Sequence, residues 1–328
     1  MNTMITEIEA AKKALPGISD RRRVHILNPA AGKKKHYVMA SRTIEQIGGE
    51  IMTSERAGQI EELVRELFHR DPYAHAIVYG GDGTIFEAVN GIMSSGASET
   101  ASFSVIPGGS GNDFSSYAND SGDFTKTELS RIDLIKTESE GKVRYSANIT
   151  NVGLDCDVVA ATDRLKKNPL LGGKTSYMAG LVSTFAAKKT FNAKVKMEGV
   201  CNFGGNPLPD IEFERELLVT AFANAKFYGG GFKAAPLASI TDGLLDVVTI
   251  DDVTRREFLS LVGGYKAGSY ITEDGRLKKK FADVVTYTRC KKVRLEGIER
   301  FCMDGEIFPT ADALTVEIVP KAVWFVAL

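Results

Sequence analysis

Between Val24 and Tyr117, short apolar runs rich in β-branched residues alternate with stretches in which apolar positions recur every three or four residues. The short runs predict strands at 24–27, 50–53, 75–79 and 103–106; the longer stretches predict helices at about 35–47, 59–68 and 85–93. In the second helix Ile60, Leu63, Val64, Leu67 and Phe68 share one face. This alternation predicts a parallel sheet covered by helices, a fold whose ligand crevice lies outside the carboxyl ends of its strands. Beyond about Arg131 the pattern changes. β-like runs at 144–150, 194–197, 216–223, 245–250, 292–295 and 314–319 are separated by glycine-rich turns, which predicts a second, largely antiparallel domain. Helical insertions near 175–187 and 255–267 interrupt it, and the apolar run 321–326 reads as a buried strand able to return to the first domain. The expected organisation is an N-terminal extension over 1–20, an α/β domain over 21–130 that 321–328 can complete, and a β domain over 131–320.

Composition narrows the class without choosing a function. A chain of 328 residues, 43% hydrophobic and 25% charged, is globular and long enough for two cores. With 41 basic against 42 acidic residues and a net charge of −1, no global field draws it onto nucleic acid. Cys156, Cys201, Cys290 and Cys302 show no CxxC spacing, which argues against a zinc site or disulfide framework and fits a reducing, cytoplasmic compartment. No apolar run reaches the roughly 18 residues of a membrane span. Glu7, Glu9, Lys12 and Lys13 stand where a signal peptide has its apolar core. Arg21-Arg22-Arg23 runs straight into a strand and is read as a solvated strand entry, not a twin-arginine export signal.

The chemistry is concentrated where strands end. Asn28-Pro29-Ala30-Ala31-Gly32 closes the first strand and precedes Lys33, Lys34 and Lys35, an arrangement that offers backbone N–H groups and positive charge to an anion; a plain strand-to-helix turn explains it equally well. Gly80-Gly81-Asp82-Gly83-Thr84 follows the third strand and opens a helix. Three glycines let backbone amides approach a polyphosphate, and Asp82 offers a carboxylate toward Mg²⁺ or the nucleotide. The spacing is neither that of a dinucleotide fold nor that of a P-loop. Pro107-Gly108-Gly109-Ser110-Gly111-Asn112-Asp113-Phe114 ends the fourth strand, with Ser110 and Asn112 able to bond phosphate or ribose and Asn112 or Asp113 able to cap a helix. Capping does not explain why three strand ends share glycine-rich polar turns. Asp304-Gly305 between runs at 300–303 and 307–308 is a hairpin signal that needs no chemistry.

Together these blocks resemble the NPxxG, GGDGT and PxGTxNDF motifs of the diacylglycerol kinase catalytic-domain family, which includes soluble bacterial lipid kinases, sphingosine kinases and ceramide kinases. The resemblance continues through Asn148–Asp157 (NITNVGLDCD), through Gly229–Pro236 and Asp242–Val247 (GGGFKAAP, DGLLDV), and to Asp304-Gly305-Glu306, in the family's order and over nearly the whole chain. It implies an N-terminal Rossmann-like nucleotide domain, a C-terminal lipid-binding β-sandwich and an active site in the cleft between them. It also implies an ATP site drawn from Asn28, Pro29, Ala30, Ala31, Gly32, Thr53, Gly80, Gly81, Asp82, Gly83, Thr84, Glu87, Gly109, Ser110, Asn112 and Asp113. A structural Mg²⁺ would sit on the Asp242 carboxylate with main-chain oxygens near Ser239 and Leu244, an oxygen-only set suited to a hard cation. Glu306 becomes the favoured general base for the lipid hydroxyl, with Asp304 and Asp82 as competitors.

Three positions depart from the family pattern: Ser110 replaces threonine, Phe86 stands where asparagine is common, and the segment from Phe114 to Asp133 is short. The activity implied is ATP- and Mg²⁺-dependent phosphorylation of a lipid such as diacylglycerol, by a protein peripheral to the membrane. A homodimer is compatible with it. Basic clusters beside apolar residues, in 164–181 and at Lys278-Lys279-Lys280, are candidates for the membrane surface, though a solvated face explains each singly. Two rivals stand against this reading: another GGDGT-type small-molecule kinase resembling NAD kinase, and a non-catalytic nucleotide or lipid sensor.

Overall fold

The computed structural model describes residues 21–31, 37–38, 40–42, 44, 49–109, 111–120, 128–166, 179–181, 183–185, 189–311 and 313–328. Two compact units emerge, one from Met1–Asp133 with Lys321–Leu328 and the other from Leu134–Pro320.

In the first unit, strands β1 (Arg23–Leu27), β2 (Glu50–Thr53), β3 (His75–Gly80) and β4 (Ser102–Pro107) pair in parallel in the order β2-β1-β3-β4. β3 is buried at every position, as a strand covered on both faces must be, whereas β2 at the edge is half-exposed. Helix α1 (Gln59–Arg70) buries Ile60, Val64, Leu67 and Phe68, the face its spacing predicts. Helix α2 (Asp82–Ser95) begins three residues before the expected start, because the Asp82-Gly83-Thr84 turn is itself the first helical turn; Gly81 caps it and Ile85 N–H donates to the Gly81 carbonyl at 3.1 Å. Helix α3 (Asp113–Asp120) follows β4. Of the helix expected at 35–47, residues 37–38, 40–42 and 44 are helical and the others lie outside the described residues.

In the second unit, β5 (Leu129–Ser139), most of which belongs to it, turns into β6 (Lys142–Ser146) through Glu140 and Gly141, both at positive φ as a two-residue hairpin turn requires. Then come β7 (Ile149–Gly153), helix α4 (Leu154–Lys166), β8 (Phe191–Glu198), β9 (Ile211–Ala223), β10 (Leu245–Asp251), helix α5 (Arg255–Lys266), β11 (Val285–Cys290), β12 (Lys292–Glu296), β13 (Arg300–Met303), β14 (Glu306–Pro309) and β15 (Ala313–Val326). Pairing among these strands is antiparallel. β9 is the organiser. Its first half alternates in burial beside β8, and its second half, flanked by β7 and β10, is buried throughout.

The result is the α/β-plus-β architecture the patterning predicts, with differences that have physical causes. The run expected at 144–150 is two strands, since the Ala147 and Ile149 N–H groups leave the ladder to donate to the Asp304 carboxylate at 3.1 and 2.8 Å. The runs at 314–319 and 321–326 are one strand, β15, which bends at Lys321 (φ 50°); beyond the bend, Trp324–Val326 pair in parallel with Ser102–Ser104 of β4. The return of 321–326 to the first sheet is therefore present. β5, β11 and α4 are absent from the sequence-based expectation. Capping at α5 is legible in the sequence: Thr254 and Glu257 form a reciprocal capping box.

Candidate functional site

The register of the parallel sheet decides where the first unit can bind anything. Leu27 pairs with Tyr79, Tyr79 with Ile106 and Gly80 with Pro107, so the turns after β1, β3 and β4 leave one edge side by side. They are joined to each other by backbone and side-chain bonds. Gly108 N–H donates to the Gly80 carbonyl at 2.8 Å, and Asn28 Nδ2 donates to Thr84 Oγ1 at 3.0 Å. Asn28 Oδ1 also accepts Ala30 N–H at 3.0 Å, which folds its own turn. Thr53 ends β2 on the same edge, paired with Leu27. A pocket of about 310 Å³ opens here, lined by Asn28, Ala31, Tyr37, Tyr79, Gly80 and Gly108 among others.

Gly81 and Gly109 meet backbone to backbone. A Cβ on Gly109 would lie 2.5 Å from Gly81 Cα, and one on Gly81 would lie 2.9 Å from Gly109 Cα. Neither neighbour is a flexible side chain, so the two turns would have to part. Gly109→Ala is expected to destabilise the unit by about 1–3 kcal/mol; thermal unfolding of the variant checks it.

The acidic and amide side chains of these turns are engaged in holding backbone. Asp82 Oδ1 accepts Phe114 N–H at 3.2 Å, so the carboxylate of one turn caps the helix that follows the next. Burial raises its pKa above the ordinary carboxylate value, and backbone donors from Phe114, Asp113 and Asn112 pull it back down. Asn112, in the left-handed region at φ 58°, pairs Oδ1 with Gly109 N–H and Nδ2 with the Gly109 carbonyl, both at 2.9 Å. Asp113 is buried at the start of α3. The N-terminus of the 14-residue α2 lies at this edge, a position that favours a phosphate.

Glu87 does different work. Its carboxylate accepts Gly58 N–H at 3.3 Å and Ile60 N–H at 3.0 Å, capping α1, whose own N-cap glycine has no side chain. Glu87→Ala is expected to cost about 0.5–2 kcal/mol of stability, which denaturant unfolding reads. Phe86, beside it, is buried in α2. Gly32 and Ser110 lie outside the described residues.

In the second unit, the Asp304-Gly305 hairpin is present with both residues at positive φ, 47° and 95°, and Met303 paired with Glu306. Asp304 is buried and accepts two backbone N–H groups, whereas Glu306 is exposed at the first position of β14. The Asp242 carboxylate accepts Leu244 N–H at 3.1 Å through Oδ1, its Oδ2 lies 3.8 Å from Arg289, and Ser239 Oγ is 3.1 Å from Thr241 Oγ1. Among the described residues no three His, Cys, Asp or Glu side chains cluster as metal ligands. Sequence reasoning did not find an apolar pocket of about 550 Å³ between α4, α5 and the sheet, lined by Leu154, Leu181, Phe258, Leu261, Val262 and Phe281 among others. Its polar end is Asp155, whose Oδ2 accepts the Tyr228 hydroxyl at 2.8 Å.

Residues 22–145 match the diacylglycerol kinase catalytic domain, and residues 148–327 match the YegS C-terminal NAD kinase beta sandwich-like domain. A probable lipid kinase YegS-like of Shewanella frigidimarina is 26% identical over 264 residues, covering 78% of this chain and 77% of that one. A diacylglycerol kinase of Bacillus subtilis is 25% identical over 305 residues, covering 86% and 88%. The crystal structure of a putative diacylglycerol kinase from Bacillus anthracis superposes with a TM-score of 0.67 at 20% identity, over 93% of this chain and 95% of that one, and so shares the fold. With both domain models matched in sequence order over nearly the whole chain, this protein belongs to the diacylglycerol kinase and YegS family of lipid kinases.

Proposed function

We propose that this chain transfers the γ-phosphoryl group of ATP, as its Mg²⁺ complex, to a lipid hydroxyl, with diacylglycerol the favoured acceptor and phosphatidic acid the product. Kinase family membership implies ATP use. One observation supports the reading of the donor side: three strand-end turns of one parallel edge, bonded to one another, with Asn112 and Asp82 accepting backbone N–H groups within them. Phosphoryl transfer asks the protein for alignment and charge neutralisation more than for covalent chemistry, and rigid amides at a helix N-terminus supply both. Asn28, Thr53, Gly80–Thr84 and Gly109–Asp113 would thus form the nucleotide site, with Asp82 and Asn112 as its scaffolding. Mg²⁺ bound to the phosphates would supply charge shielding.

On the acceptor side, Glu306 is the proposed general base. Glu306 stands exposed at the first position of β14, where a carboxylate can meet a substrate hydroxyl, whereas Asp304 is buried. A structural Mg²⁺ at Asp242 fits the chemistry of the donor set there, which is oxygen only; the single carboxylate, shared with Arg289, makes for modest affinity. The apolar pocket has the lining of a site for a hydrocarbon chain. No described helix is long and apolar enough to cross a membrane, which suits a cytoplasmic, peripheral enzyme that meets its lipid at the surface.

The pocket's polar end gives a pH prediction. Burial pushes the Asp155 carboxyl up to about 7, against the lowering effect of the Tyr228 hydroxyl. An acid whose folded pKa is raised stabilises the fold fully below its unfolded pKa near 4, and that contribution is lost as pH climbs through 7. Asp155→Asn is therefore expected to flatten the fall in unfolding free energy between about pH 4 and about pH 8, by a few kcal/mol. Denaturant unfolding across that range checks it.

The function is tested by offering γ-labelled ATP and Mg²⁺ with diacylglycerol, sphingosine, phosphatidylglycerol and NAD, followed by chromatography of the products. Label in the diacylglycerol product is expected. Label on NAD alone, or bound ATP with no turnover across the panel, would replace this reading with one of its rivals.

A further inference from the structure

Helix α5 has two faces in different surroundings. Inward, Phe258, Leu261, Val262 and Tyr265 line the apolar pocket. Outward, Leu259 is 70% exposed, the most exposed large hydrophobic side chain among the described residues, with Arg255 and Arg256 exposed one turn before it. The run Lys278-Lys279-Lys280 is exposed as well, and Lys280 Nζ donates to the Ser260 carbonyl, which ties Lys280 to the helix next to Leu259. Segment 251–283 carries seven basic and six acidic residues, so any attraction is local and not a property of the segment. Its acids are partly committed: Glu257 is folded into the capping box, Asp274 lies 3.0 Å from Arg276, and Asp251 lies 3.2 Å from Arg215.

We propose that the outer face of α5, with Leu259 at its centre and Lys278–Lys280 at its side, is where this chain docks on an anionic phospholipid bilayer. The inference rests on the lipid-kinase reading and names the surface through which that activity meets its substrate. Charge complementarity chooses an anionic partner, and Leu259 chooses among anionic partners. A leucine gains from burial only where hydrocarbon is on offer, which a bilayer provides and a nucleic acid backbone does not. The inner face of the same helix lines the apolar pocket, so docking here sets the pocket wall against the source of its ligand.

The test is flotation of the full chain with phosphatidylcholine vesicles, with and without phosphatidylglycerol at equal total lipid. Binding is expected only to the anionic vesicles and is expected to fade as salt rises. The variant carrying Lys278→Gln, Lys279→Gln and Lys280→Gln is expected to bind more weakly by about fivefold per lysine, on the order of 100-fold in all. Leu259→Trp is expected to show a blue-shifted emission on anionic vesicles, read over the wild-type spectrum of the single native Trp324. Unchanged affinity of the lysine variant, or an emission that does not move, overturns the proposal. Wild-type protein that phosphorylates lipid in nonionic micelles yet ignores anionic vesicles overturns the docking surface and leaves the function standing; vesicle binding without phosphorylation anywhere does the reverse.

Discussion

Replacing Glu306 by glutamine is expected to lower kcat by about 10²–10⁴-fold, with the KM for ATP and the melting temperature near wild type. The side chain stands exposed at the first position of β14, paired through its backbone with Met303. Glutamine keeps its volume and its strand position and removes the negative charge and with it the capacity to take a proton. A loss confined to kcat is what the removal of an interaction made only in the transition state looks like. Steady-state kinetics with a thermal melt of the same preparation read the two quantities together. An unchanged kcat would move the role of base to another group.

Two residues away, Asp304→Ala is expected to behave in the opposite manner. Its carboxylate is buried and accepts Ala147 N–H at 3.1 Å and Ile149 N–H at 2.8 Å, while its own N–H donates to the Ile149 carbonyl at 3.0 Å. Alanine leaves two buried donors without an acceptor, at about 1–3 kcal/mol each. It also places a side chain with no left-handed preference at φ 47°. A loss of about 2–5 kcal/mol is expected, on the order of 10 °C in Tm for a unit of this size. Asp304→Asn, which keeps one acceptor oxygen and tolerates positive φ, should recover part of it. Denaturant unfolding within 0.5 kcal/mol of wild type would mean that neither bond matters, since surface changes of no consequence fall in about that range.

Much of this architecture is legible in the sequence because its signals are local. Strand β3 is a run of apolar residues closed by glycines, α1 shows its buried face by spacing alone, and the Asp304-Gly305 turn announces its hairpin. The glycine-rich polar turns at the strand ends are legible as turns. Which of their side chains hold backbone is not, because that depends on partners distant in sequence. Asp82 caps a helix 31 residues later. Glu87 reaches back 29 and 27 residues to Gly58 and Ile60. Both carboxylates stand in motifs, and the fold also gives them backbone to hold.

The apolar pocket was invisible for the same reason. Leu154, Leu218, Ile250, Phe258 and Phe281 come from five separate stretches, each an ordinary apolar position in its own stretch. β5 crosses the domain boundary expected between 130 and 131, and its first three residues are only half-buried. β11 carried a readable alternation of Val285 and Tyr287 that the strand expectations left out.

The most direct measurement is hydrogen–deuterium exchange of the wild-type chain with and without ATP and Mg²⁺. Bound nucleotide is expected to slow exchange at the strand-end turns, residues 28–31, 80–84 and 107–114, together and in proportion to occupancy. Unaltered exchange at all three under saturating nucleotide, or protection confined to the second unit, would contradict the claim that this glycine-rich edge grips the triphosphate.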